Sequence, residues 1–116
     1  MKAAIKRARD TQRVYAFELC LAGPSRPMRV LRALARRIWA AETPRRERCP
    51  VVVAGRGLRL GVRLASYCEG RCRIVLTRNQ RDRVTLIHEL VHALGFETHG
   101  ERFQRRYAEL LGRYYK

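Results

Sequence analysis

The strongest periodicity in the chain falls on residues 84–94. At about 3.6 residues per turn, Val84, Leu86, Ile87, Leu90, Val91 and Leu94 cover most of a helix's circumference and leave Thr85, His88, Glu89 and His92 in one polar stripe. This predicts a nearly buried helix with a single wet face. A second helix is expected further upstream, with Ser25 as its cap and Pro27 in its first turn. Leu31, Leu34, Ala35, Ile38 and Trp39 form its inner stripe, while Arg29, Arg32, Arg36 and Arg37 face outward. Residues 11–21 fit two periods: Val14, Phe17 and Leu21 suit a helix, whereas Tyr15, Phe17, Leu19 and Leu21 suit a strand. The stop signal at Gly23-Pro24 favours the helix.

After a polar connector over 43–50 the period changes. Val51–Ala54 reads as a short apolar strand, Gly55 and Gly57 as a turn, and Leu60, Val62 and Leu64 alternate with Gly61, Arg63 and Ala65 as in a half-buried strand. Glu69-Gly70-Arg71 reads as a hairpin turn into Arg73–Leu76, which predicts a small antiparallel sheet. Phe103, Tyr107, Leu110, Leu111 and Tyr114 recur at helical spacing, so a last helix should start near Gly100 and pack under the 84–94 helix. The fold class expected is α+β, a single domain over 1–116 with helices on a small three-stranded antiparallel or mixed sheet.

Composition narrows the class. A chain of 116 residues holds one core, and its hydrophobic fraction of 47% argues against disorder despite 31% charged residues. It contains no run of about 18 apolar residues, so no membrane span is expected. Its start, Met1–Arg7, turns charged too soon for a secretory leader, which makes a cytoplasmic protein the expectation. Cys20 and Cys49 stand alone, and the Cys68-x-x-x-Cys72 spacing does not match a zinc knuckle. Free thiols are therefore expected, although Cys68 and Cys72 could meet across a hairpin. The net charge of +16 suits contact with nucleic acid through phosphates slightly better than a simply solvated basic surface, and no recognition motif names a partner. Oligomeric state is not specified.

The chemistry concentrates where the periodicity is strongest. All three histidines lie within His88–His99, and His88-Glu89-Leu90-Val91-His92 spells H-E-x-x-H. Four residues apart on a helix, His88 and His92 can aim imidazole nitrogens at one ion, with zinc the metal such a pair suits. Glu89 beside them can take a proton from water whose pKa the ion has lowered to roughly 7. A catalytic zinc site takes a third protein ligand and leaves a position open. His99 is the candidate, because Gly95 can end the helix in a left-handed turn that sends the chain back towards the metal. Glu97, Glu101 and Glu109 are the alternatives.

His88-Glu89-Leu90-Val91-His92-Ala93 followed by His99-Gly100-Glu101-Arg102-Phe103 resembles the H-E-x-x-H-A and H-G-x-x-F signature of SprT-like (Spartan-type) zinc metallopeptidases. The stretch Arg9–Glu18 is similar to the start of a group of short metallohydrolases with the same site. The resemblance implies a minimal zincin-like fold in which His88, His92 and His99 bind Zn2+ and Glu89 is general base and proton shuttle. It also implies that the strand ahead of the active-site helix, Cys72–Leu76, is an edge strand that pairs with an extended peptide substrate. A plain sheet edge guarded by Arg71, Arg73 and Arg78 is the alternative for that segment. Two departures stand out: the His92–His99 spacing is shorter than in the Spartan proteases and one residue longer than the H-x-x-G-x-x-H spacing of metzincins; a separate DNA-binding zinc ribbon of the kind SprT-like proteins often carry is also lacking.

The function expected is peptide-bond hydrolysis by a zinc metallopeptidase, on a protein or peptide substrate that includes nucleic-acid-associated proteins. Tyr67, Tyr107 and Arg102 are candidates to stabilise the oxyanion. A basic nucleic-acid-binding module with a structural zinc, and a metal-dependent hydrolase of a non-peptide bond, are the alternatives.

Overall fold

The computed structural model describes residues 2–21, 23–43, 47–55, 58–59, 62–63, 66–70 and 72–115, with 58–59 and 62–63 placed as backbone. The elements run α1 (Lys2–Leu21), α2 (Met28–Glu42), β1 (Val51–Gly55), β2 (Leu58–Arg59), β3 (Val62–Arg63), β4 (Tyr67–Glu69), β5 (Arg73–Thr77), a short 3-10 turn (Arg78–Gln80), α3 (Arg83–Ala93) and α4 (Glu101–Tyr114). The architecture is α+β with a small mixed sheet.

The ambiguous amino-terminal segment is helical and longer than its apolar pattern suggested, because α1 extends back through the charged residues to Lys2. In α2 the predicted stripe is inside: Leu31, Ala35, Ile38 and Trp39 are buried, Leu34 packs against them, and Arg29, Arg32, Arg36 and Arg37 are exposed. Ser25 is not its cap. The helix opens at Met28 with extended Pro27 in the capping position and no side-chain cap bond. Proline disfavours helical geometry in the residue before it, so this helix cannot start upstream of Pro27.

The sheet has the order β1-β5-β4, with β1 parallel to β5 and β4 antiparallel to it. Val52 lies opposite Ile74 on one side, and Cys68 lies opposite the same Ile74 on the other. The sheet is mixed, one of the two forms expected. One expectation is corrected: Cys72–Leu76 is no edge, because Arg73–Thr77 is the central strand, its backbone engaged on both sides. Ile74, Val75 and Leu76 are buried in succession, as in a strand covered on both faces. The exposed edge beside the site is β4, which has no outer partner among the described residues. β2 and β3 pair separately as an antiparallel ribbon; the alternation expected over Leu60–Ala65 falls largely outside the described residues.

α2 packs on β1, α3 packs on β5, β4 and α2, and α4 packs on α3. Phe103, Tyr107, Leu110 and Leu111 bury the inner face of α4, as its spacing predicted, and Tyr114 is packed against the core. The polar stripe of α3 is not a wet face. His88 and Glu89 are only 6% and 5% exposed, because α1 and β4 close over them. All four cysteines are free thiols, and no helix among the described residues is long and apolar enough to cross a membrane.

Candidate metal centre

Two local signals set the register of the site. Asp82 caps α3 by accepting the Thr85 backbone N–H at 2.8 Å and the Thr85 hydroxyl at 3.0 Å. At the other end Gly95 takes φ 111°, the left-handed geometry that glycine adopts without strain. Its N–H donates to the His92 carbonyl, and the Phe96 N–H donates to the Val91 carbonyl. The helix therefore stops one residue beyond His92 and the chain doubles back, placing His99 beside the pair. The Gln104 amide holds the returning loop by donating to the His99 carbonyl at 2.8 Å.

Three imidazoles converge. His88 Nε2 lies 3.1 Å from His92 Nε2 and 3.2 Å from His99 Nε2. A tetrahedral zinc with Zn–N near 2.0–2.1 Å would separate its nitrogens by about 3.3 Å, so the spacing is close to that of a filled site. No other histidine, cysteine or carboxylate joins the cluster among the described residues. Of the alternative third ligands, Glu97 is exposed at the rim of the cleft, Glu101 pairs with Arg105, and Glu109 pairs with Arg106.

The Nδ1 atoms show how this cluster could hold a cation. His92 Nδ1–H donates to the Phe96 carbonyl at 2.7 Å, and His88 Nδ1–H donates to the Glu18 carboxylate at 3.1 Å. With the proton on Nδ1, the Nε2 atoms of both rings carry lone pairs that face each other. Two lone pairs at 3.1 Å repel unless a positive ion lies between them. His99 Nδ1 meets the Thr11 hydroxyl at 3.1 Å. All three rings are thus oriented from behind, as the outer partners of metal-bound histidines orient theirs. Burial pushes the pKa of His92 down to about 4 and lowers that of His99, which keeps both rings neutral and able to bind an ion at neutral pH.

Phe103 packs edge-on or tilted against all three imidazoles, with centroid distances of 5.1, 4.7 and 5.0 Å to His88, His92 and His99. Glu89 faces a cleft of about 500 Å3 that the three histidines also line, between β4 on one side and Tyr15 on the other. A second cavity of about 540 Å3 shares Tyr15, Ser66, His88 and Glu89 with the first, so the cleft continues past the carboxylate. Burial, opposed by neighbouring His88 and reinforced by Glu18, raises the Glu89 pKa to about 7. Glu18, Asp82, Glu89 and Glu97 line these cavities, and among the described residues no lysine or arginine does.

A scan against models of known families finds no match for this chain. Neither characterised proteins nor solved structures match it. What the site can do therefore rests on its own geometry.

Of the residues considered for an oxyanion, Tyr67 lines the cleft. Tyr107 is buried and its hydroxyl is already engaged, donating to Glu18 at 2.9 Å, so its pKa is raised. The Arg102 guanidinium lies 5.9 Å from the centre of the Phe96 ring. The sequence reading missed Thr11, Tyr15 and Glu18. Their signal was a helical stripe: Thr11, Val14, Tyr15 and Glu18 recur at spacings of three and four, setting polar groups beside the one buried residue of α1.

Proposed function

We propose that this chain is a zinc-dependent metallopeptidase in which His88, His92 and His99 hold the ion and Glu89 moves the proton. The observation that carries the reading is the convergence of three imidazole Nε2 atoms next to a buried carboxylate that faces the same cleft. A bound zinc supplies a Lewis acid and lowers the pKa of a water in its open position. Glu89, ionised beside the cation, accepts a proton as the water oxygen bonds to the peptide carbonyl carbon. It returns that proton to the nitrogen as the C–N bond breaks. β4 offers along the cleft an edge that no described strand pairs, suited to an extended peptide laid on by strand addition.

Two features favour this over the alternatives. Among the described residues no fourth ligand joins the three, which leaves room for solvent, whereas a structural zinc is closed by four. The acidic lining suits a peptide better than a phosphodiester, whose charge it would repel. The two motif segments support placing the chain among the SprT-like peptidases with a zincin-like fold. The exposed basic residues of α1 and α2 lie outside the cleft and fit nucleic acid as a surface that brings substrate proteins near. Metal analysis and a casein or self-cleavage assay, with and without DNA, test the reading. Glu89→Gln should keep zinc and lose turnover, while His99→Ala should lose much of its zinc; undiminished proteolysis by Glu89→Gln would overturn the mechanism.

A further inference from the structure

α1 is an unusual element. Of its twenty residues only Val14 is buried, and Ile5, Tyr15, Phe17 and Leu19 are exposed. A helix with so little buried apolar surface is weakly held by packing. Yet its inner face reaches the centre twice: Glu18 accepts from His88 at 3.1 Å, and Thr11 meets His99 at 3.1 Å. Tyr107 donates to the same Glu18 at 2.9 Å. Thr11 and Glu18 are two turns apart with Val14 between them, so both contacts form only while the helix lies intact across the site. Tyr15, from the same stretch, stands 6.4 Å from the His88 ring and 6.0 Å from the His99 ring and forms one wall of the cleft.

Resting on the metal-centre reading above, we infer that α1 is a metal-coupled arm: Glu18 and Thr11 are positioning residues that aim His88 and His99 at the ion, and ion binding fixes α1 against the body. The coupling is reciprocal by thermodynamic necessity. Whatever factor the docked helix adds to zinc affinity, zinc adds to the docking of the helix. Docking also completes the cleft, since Tyr15 arrives with it.

The test combines zinc affinity, measured by competition with a chromophoric chelator, and hydrogen exchange of α1 with and without zinc. Glu18→Ala and Thr11→Val should each bind zinc about 10–100-fold more weakly, the usual cost of losing an outer partner of a metal-bound histidine. Glu18→Gln, whose amide oxygen can still accept from His88, should recover most of the loss. Cobalt in place of zinc should give an altered visible spectrum in Glu18→Ala and a near wild-type one in Glu18→Gln. In the wild type, zinc should slow exchange across residues 8–20, and in the Glu18→Ala, Thr11→Val double variant it should not. Wild-type affinity in both single variants, or exchange in α1 that ignores zinc, would refute the arm and leave the centre standing. A wild type that binds no zinc would instead remove the centre, and the arm with it.

Discussion

Glu89 is placed where an ionised carboxylate is uncomfortable, and replacing it should make the metal-free protein more stable. The side chain is 5% exposed, and burial lifts its pKa from 4.5 to about 7. Because the folded value is the higher one, the native state holds a proton that the unfolded chain releases between these two values. The stability linked to that proton is complete below pH 4.5 and is lost as pH climbs through 7. At about 1.36 kcal/mol per pKa unit, the gap from 4.5 to about 7 amounts to about 3 kcal/mol at pH 8. Glutamine has nearly the same shape and never ionises. Glu89→Gln should therefore gain up to about 3 kcal/mol at pH 8 and almost nothing at pH 4.5, an increase in Tm of about 10 °C for a domain of this size. His92, held down to about 4, makes stability fall as pH drops below 6.5, but it does so in both proteins and largely cancels in the difference. Urea unfolding of both proteins in chelator at pH 4.5 and pH 8 reads the effect. Saturating zinc should shrink the gain, because a cation favours the ionised carboxylate. A variant less stable than wild type at pH 8, or a gain equal at the two pH values, would refute the reasoning.

Other perturbations reach different parts of the site. Phe103→Ala removes a ring that is 1% exposed and touches all three imidazoles; it should cost about 3–5 kcal/mol and loosen zinc, and equal zinc occupancy among folded molecules would remove the idea. Gly95→Ala has open space for its methyl group but must hold φ 111°, so a loss of about 1–2 kcal/mol from backbone strain alone is expected in urea unfolding. Binding to generic duplex DNA should weaken steeply as salt rises; no retention on DNA at low salt would dismiss the nucleic-acid surface.

Some of this was legible because the governing interactions are local. The period of residues 84–94, the two histidines one turn apart and the left-handed stop at Gly95 all act within a few residues of each other, so the ligand face and the return of His99 could be read from spacing. The inner stripe of α2 was readable for the same reason. The central position of β5 depends on its parallel pairing with β1, which lies well upstream of the local hairpin with β4, though its unbroken run Ile74-Val75-Leu76 already speaks for cover on both faces and against an edge. Glu18 and Thr11 were hidden because their hydrogen bonds span 70 and 88 residues of sequence, and α1 has almost no apolar stripe from which to infer its packing. The cover that α1 places over His88 was hidden with them, which is part of why the stripe read as wet.

The most direct measurement is X-ray absorption at the zinc edge on the stoichiometrically loaded protein. One zinc per chain, with three imidazole nitrogens and one solvent oxygen in its shell, is the expected result. A shell containing sulfur, a fourth protein ligand, or no zinc retained at all would contradict a catalytic centre built on His88, His92 and His99.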